Sequence, residues 1–220
     1  MIEFLHGDVT VRGHLAIPAS GSGPGVIVLH AWWGLNEFIK QLCDRLAAEG
    51  FVVFAPDLYH GEIAATIEGA EHLSSELKRE IADKEMVAAV EYLRGHSAVS
   101  KLALGVIGFS LGAFLALSLA QNRPKDIAAA VLFYGTGDGN YNNIRAAFLG
   151  HFAEKDPYES QEGVAALENA LRTAGRDVTF HTYPDTGHWF FESDRPDAYN
   201  ADAARLAWER TTTFLHQHFG

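Results

Sequence analysis

Short apolar runs alternate along the chain with longer segments whose apolar positions recur at helical spacing. Val26-Ile27-Val28-Leu29 is one unbroken run and Phe51-Val52-Val53-Phe54 another, and further runs cover 102–107, 127–133, 144–149 and 178–183. Continuous apolar runs bounded by turn residues mark strands buried on both faces, as in a parallel sheet. Between them the spacing predicts helices over 36–48, 81–94, 111–121, 159–174 and 197–216. In 81–94, Met86, Val87, Val90 and Leu93 fall on one face, the stripe a surface helix turns to a core. Strand and helix alternate throughout, which predicts a mostly parallel central sheet with helices on both faces. Val9-Thr10-Val11 and His14-Leu15-Ala16-Ile17, around Arg12-Gly13, alternate as an antiparallel hairpin does. The stretch after Glu62 is polar and reads as a solvated connection or as a partial cover over a site.

No repeat, low-complexity tract or linker interrupts this pattern, and the Gly/Ser/Pro-rich stretch at 19–24 is short enough for a loop. One domain over residues 1–220 is the expectation.

The sharpest local signal is Gly108-Phe109-Ser110-Leu111-Gly112, a G-x-S-x-G pattern directly after the run 104–107 and before the apolar helix starting at Leu111. A serine on such a strand-turn-helix stands exposed at the carboxyl end of the sheet, with flanking glycines allowing close approach of strand and helix. The positive end of the helix also faces any oxyanion formed there. The competing reading is a tight turn in which Ser110 merely caps its helix.

A serine hydroxyl needs a base, and the base needs a third group to hold its tautomer. In this kind of fold the chain order is Ser, then Asp or Glu, then His. Asp156 follows the run ending near Leu149-Gly150, and His188 follows the run ending at Tyr183, so each falls at the carboxyl end of a strand. Of the ten other histidines, His216 and His218 fall on or after the terminal helix, and His6, His14, His72 and His96 lack strand-end placement in the right order. His30 ends the run 26–29 and is the rival base, but it precedes Ser110, which suits a structural or substrate-contact role better. Glu154 is the alternative to Asp156, and Asp185 reads as a turn residue. The oxyanion hole would use the backbone N–H of Leu111 and that of Trp32, in the loop His30-Ala31-Trp32-Trp33-Gly34. Trp32, Trp33, Trp189, Phe190 and Tyr134 fall at strand ends, which suggests an aromatic-walled pocket with His30 at its edge; packing of loops onto the sheet would use the same residues.

Taken together these segments resemble the dienelactone hydrolase family of α/β hydrolases. The resemblance rests on His30-Ala31-Trp32-Trp33-Gly34-Leu35-Asn36, Pro56-Asp57-Leu58-Tyr59, the nucleophile turn, Gly187-His188-Trp189-Phe190, and Arg195-Pro196 leading to Ala207-Trp208-Glu209-Arg210. It runs nearly end to end. It implies hydrolysis of an ester or lactone through an acyl-enzyme, without metal or organic cofactor. Two positions depart from the family: the founding enzymes have a cysteine nucleophile and a glutamate beside it, where this chain has Ser110 and Ala31. The pair of changes is coherent, since a carboxylate manages a thiolate whereas a serine relies on its histidine. An arginine expected shortly after the histidine meets Glu192, which removes one cation for a carboxylate-bearing substrate.

Bulk properties narrow the partners. With 48% hydrophobic residues the chain can bury a sizeable core, and a net charge of -11 opposes docking on phosphate backbones, so nucleic acid is excluded as a partner. No run approaches the roughly 18 apolar residues a membrane span needs, and Met1-Ile2-Glu3-Phe4 lacks the features of a signal peptide, so a cytoplasmic protein off the membrane is expected. The single Cys43 cannot form an intramolecular disulfide and reads as a helix-face residue without chemistry. The expected partner is a small-molecule ester or lactone, with the chain a monomer or a homodimer. Two other classes stay open: a catalytically silent module that kept the fold, and a serine enzyme for acyl transfer or peptide hydrolysis.

Overall fold

Extended and helical segments fall almost where the apolar pattern puts them in the structure, a computed structural model describing residues 1–220. The chain forms two compact units, Met1–Val106 and Ile107–Gly220. Its eight strands are mostly parallel, the exceptions lying at the N-terminal end.

In the first unit β1 (Ile2–His6) pairs antiparallel with β2 (Val9–Ala16), Ile2 opposite Gly13 and His6 opposite Val9. The hairpin turns at Gly7-Asp8 and not at Arg12-Gly13 as the alternation suggests. Gly7, at φ 58, supplies the left-handed residue a two-residue hairpin needs. Gly13 instead lies inside β2, where any Cβ would collide with the Ala55 carbonyl and the Phe54 ring. It is a glycine of close approach. β3 (Gly25–Leu29) and β4 (Val52–Pro56) are buried along their whole length and pair parallel, while β2 runs antiparallel to β4. α1 (Glu37–Ala48) begins where the Asn36 side chain accepts from the Ile39 N–H at 3.1 Å, and the chain leaves it through Gly50 at φ 98.

The stretch after Glu62 contains a helix the pattern did not reveal. α2 (Ile67–Glu76) is capped by Thr66 and buries only Ala70, so it has almost no apolar stripe to read. α3 (Arg79–Gly95) starts two residues earlier than its periodicity indicates.

β5 (Leu104–Phe109) spans the division between the units. The second unit continues with α4 (Leu111–Asn122), β6 (Ile127–Phe133), β7 (Ala147–Ala153), α5 (Gln161–Thr173), β8 (Val178–Tyr183) and α6 (Ala201–Phe219). β6, β7 and β8 are parallel, with Phe133 opposite His151 and Ala153 opposite Tyr183. β7 runs past the apolar stretch 144–149 because the two residues that interrupt it are suited to burial. At Gly150 a Cβ would meet the Phe180 ring at 2.6 Å, and the His151 ring is satisfied by the Tyr183 hydroxyl at 2.8 Å and the Thr211 hydroxyl at 3.0 Å. α6 starts at Ala201 and not near 197, capped by the Asn200 side chain on the Ala203 N–H at 3.1 Å. The added length of β7 matters for chemistry, since it brings the strand end to within three residues of Asp156.

Candidate active site

β5 ends at Phe109 and α4 begins at Leu111, leaving Ser110 alone at the corner with φ 51 and ψ -112. That conformation is costly for a side-chain-bearing residue and persists only where the surroundings fix it. They do so here: the Ser110 N–H donates to the Phe133 carbonyl at 2.9 Å, and its own carbonyl accepts from the Ala113 N–H at 2.8 Å. Two glycines make room. A Cβ on Gly108 would collide with the Gly112 carbonyl, and one on Gly135 would lie 2.5 Å from the Ser110 carbonyl oxygen. The Ser110 hydroxyl does not cap α4. It donates instead to His188 Nε2 at 2.9 Å.

His188 lies five residues beyond β8, in a turn opened by Asp185 at φ 57. Its Nδ1–H donates to Asp156 Oδ2 at 2.7 Å, both side chains being almost completely buried. The other carboxylate oxygen of Asp156 accepts the backbone N–H groups of Tyr158 at 2.9 Å and Glu159 at 3.1 Å. A carboxylate fixed by three donors can only accept, so the proton sits on Nδ1 and Nε2 is left to receive the serine's. Glu154, the alternative acid, is used elsewhere: its Oε2 accepts the Asp185 N–H at 2.8 Å. Asp185 is the exposed turn residue the sequence suggested, pairing with Lys155 at 2.6 Å.

Aromatic rings surround His188. Tyr134 and Tyr158 each lie 4.9 Å from its ring and Trp189 stands edge-on at 5.1 Å. Trp189, at φ 64, is half-buried, while Tyr158 is 48% exposed and 5.3 Å from Trp189. Tyr158 was not singled out from the sequence, since it follows no apolar run. Phe190 corrects an expectation: it is fully buried against Tyr134 at 5.6 Å and Tyr183 at 4.8 Å, so it packs the loop from behind and offers no surface to a substrate. Tyr134 is buried as well, with φ 36, and its hydroxyl donates to Glu192 at 2.8 Å. Burial pushes the Glu192 carboxyl up to about 8.

His30, Trp32 and Trp33 belong to the first unit. His30 is buried with both nitrogens engaged: Nδ1–H donates to the Ala31 carbonyl at 2.7 Å and Nε2 accepts the Leu58 N–H at 3.3 Å. Burial lowers its pKa and keeps the ring neutral. It ties the end of β3 to the loop after β4. Trp33 is buried and packs edge-on to the half-buried Trp32 at 5.5 Å. Leu111 supplies the first N–H of α4, a donor the helix itself cannot satisfy. Cys43 is buried and its thiol pKa is raised by that burial, the opposite of an activated thiol.

The sequence profile of the dienelactone hydrolase family matches residues 11–219. The chain belongs to that family. It is 36% identical over 227 residues to "Protein usf" of Aquifex pyrophilus, covering 99% of this chain and 98% of the relative. It is 31% identical over 223 residues to a protein of Bradyrhizobium sp named "Probable 2-oxo-3-(5-oxofuran-2-ylidene)propanoate lactonase", covering 93% and 88% of the two chains. Among solved structures, a dienelactone hydrolase-like promiscuous phosphotriesterase from metagenomic libraries superposes with a TM-score of 0.86 at 23% identity, over 100% of this chain and 97% of the other. This family member has the α/β-hydrolase fold and is a hydrolase. No helix is long and apolar enough to cross a membrane, and no group of three or more His, Cys, Asp or Glu side chains is placed to hold a metal ion.

Proposed function

We propose that this dienelactone hydrolase family member is a serine hydrolase acting on carboxylic esters or lactones through an acyl-enzyme. The observation that carries the reading is the unbroken hydrogen-bond line from Ser110 Oγ through the His188 ring to Asp156, 2.9 Å and 2.7 Å long, on a serine held at a strained corner. His188 Nε2 takes the proton as Ser110 Oγ attacks the carbonyl carbon. Asp156 keeps the imidazole in the receiving tautomer and stabilises the imidazolium. The oxyanion accepts from the Leu111 N–H, where the partial positive charge of α4 adds to the hydrogen bond. Collapse expels the alkoxide, which takes the proton from His188; water then attacks the acyl-enzyme with His188 again as base, releasing the acid and restoring Ser110.

The rings of Tyr158 and Trp189 beside His188 favour an uncharged or weakly polar acyl group. The printed name of the Bradyrhizobium relative, a lactonase, supports lactones within the substrate range. Steady-state hydrolysis of p-nitrophenyl butyrate and of dihydrocoumarin tests the reading. Wild type should turn over one or both, and Ser110→Ala should lose at least about 10³-fold in kcat with its circular dichroism unchanged. Undiminished turnover by the variant would refute the serine mechanism, and absence of turnover in well-folded wild type would favour a silent module.

A further inference from the structure

The first unit holds a cleft of about 410 Å³ between α2, α3 and the loop after β4, lined by residues that include Leu58, His60, Leu77, Ile81 and Glu85. None of Ser110, Asp156 and His188 lines it. Its volume lies in the range of small-molecule sites. Glu85, on α3, is buried in its wall. Glu85 Oε1 meets His60 Nε2 at 2.6 Å, but Oε2 is shielded from solvent and has no hydrogen-bond partner. A buried carboxylate oxygen left in this state is costly and calls for a donor. His60 is held at φ 54, next to Gly61 at φ 102, so the chain doubles back there and places the imidazole on the glutamate.

We infer that this cleft binds a short-chain organic ammonium ion, its nitrogen on Glu85 Oε2 and its alkyl part against Leu58, Leu77 and Ile81. The lining is acidic: Glu62 and Glu76 join Glu85, against Lys78 and His60. The apolar part has a ready surface, since Ile81 remains 41% exposed. An inorganic cation is a poor fit, because no group of three or more acidic, His or Cys side chains gathers there. An ammonium group supplies both the missing donor and the charge that offsets the carboxylate's desolvation. Burial raises the Glu85 pKa, with His60 opposing and Asp57 adding to the effect. An ammonium ion pairs with the ionised carboxylate, so its affinity rises with pH across the Glu85 titration.

Titration of the full chain with n-butylammonium chloride, followed by calorimetry, tests this, with n-butanol as the neutral match. Butylammonium should bind at least about tenfold more tightly than butanol. The affinity should fall about tenfold or more in Glu85→Gln and in Ile81→Trp. Ile81→Trp narrows the cleft at a part-exposed position, so it decides the matter if Glu85→Gln proves unfolded. Lack of binding to wild type, equal binding of butanol, or unaltered binding by a folded variant would each overturn the inference.

Discussion

The Tyr134 hydroxyl donates to the Glu192 carboxyl at 2.8 Å in a fully buried setting, while the Tyr134 ring lies 4.9 Å from that of His188. The pair therefore forms the inner support of the loop that carries the proposed base. Removing one partner strands the other. Tyr134→Phe keeps the ring and leaves Glu192 without its donor, and is expected to cost about 1–3 kcal/mol of stability. Urea unfolding of the two proteins measures this, and the folded variant should hydrolyse ester at a rate near that of wild type.

The same carboxyl makes stability depend on pH. Burial holds Glu192 up to about 8 against an ordinary 4.5; the Tyr134 hydrogen bond and Arg195 oppose the shift and Asp194 adds to it. Between those two values the native state keeps a proton that the unfolded chain has released. Stability from this group is full below the lower value and is lost as pH rises to about 8. Glu192→Gln has no proton to lose, so denaturation midpoints at about pH 5 and about pH 8.5 should differ less in the variant than in wild type.

Asp156→Asn preserves an oxygen for the Tyr158 and Glu159 N–H groups, so the loop should keep its shape. The amide nitrogen then faces His188 Nδ1 as a donor and turns the imidazole into the wrong tautomer. A loss of about 10³–10⁴-fold in kcat is expected, with unchanged circular dichroism and thermal midpoint.

Glycines in different surroundings carry different costs. Gly108→Ala places a Cβ against the Gly112 carbonyl, which cannot retreat without breaking the corner at Ser110, and should destabilise by more than about 3 kcal/mol. Gly175→Ala meets open space and bears only the penalty of its φ of 77, about 1–2 kcal/mol. Thermal unfolding of both variants beside wild type tests the ranking.

Much of this site is legible in the sequence because its parts obey local rules. Ser110 follows from a glycine-flanked turn between a strand and a helix, and Asp156 and His188 follow from chain order and strand ends. The residues that surround them obey no local rule. Tyr134 and Glu192 are 58 positions apart and meet only once the second unit has folded. Phe190 and Trp189 illustrate the same limit: the two adjacent aromatics look alike in sequence, and only the folded chain buries the first completely and leaves the second half-buried. In the fold, β7 and α2 were the elements blurred by composition, the first by a buried histidine and glycine, the second by the absence of an apolar face.

Intact-mass analysis after treatment with an aryl fluorophosphonate, on wild type and Ser110→Ala, addresses the central claim most directly. A single covalent adduct on wild type that is absent from the variant is the predicted result. An adduct of equal extent on both proteins, or none on well-folded wild type that hydrolyses ester, would contradict a Ser110 nucleophile.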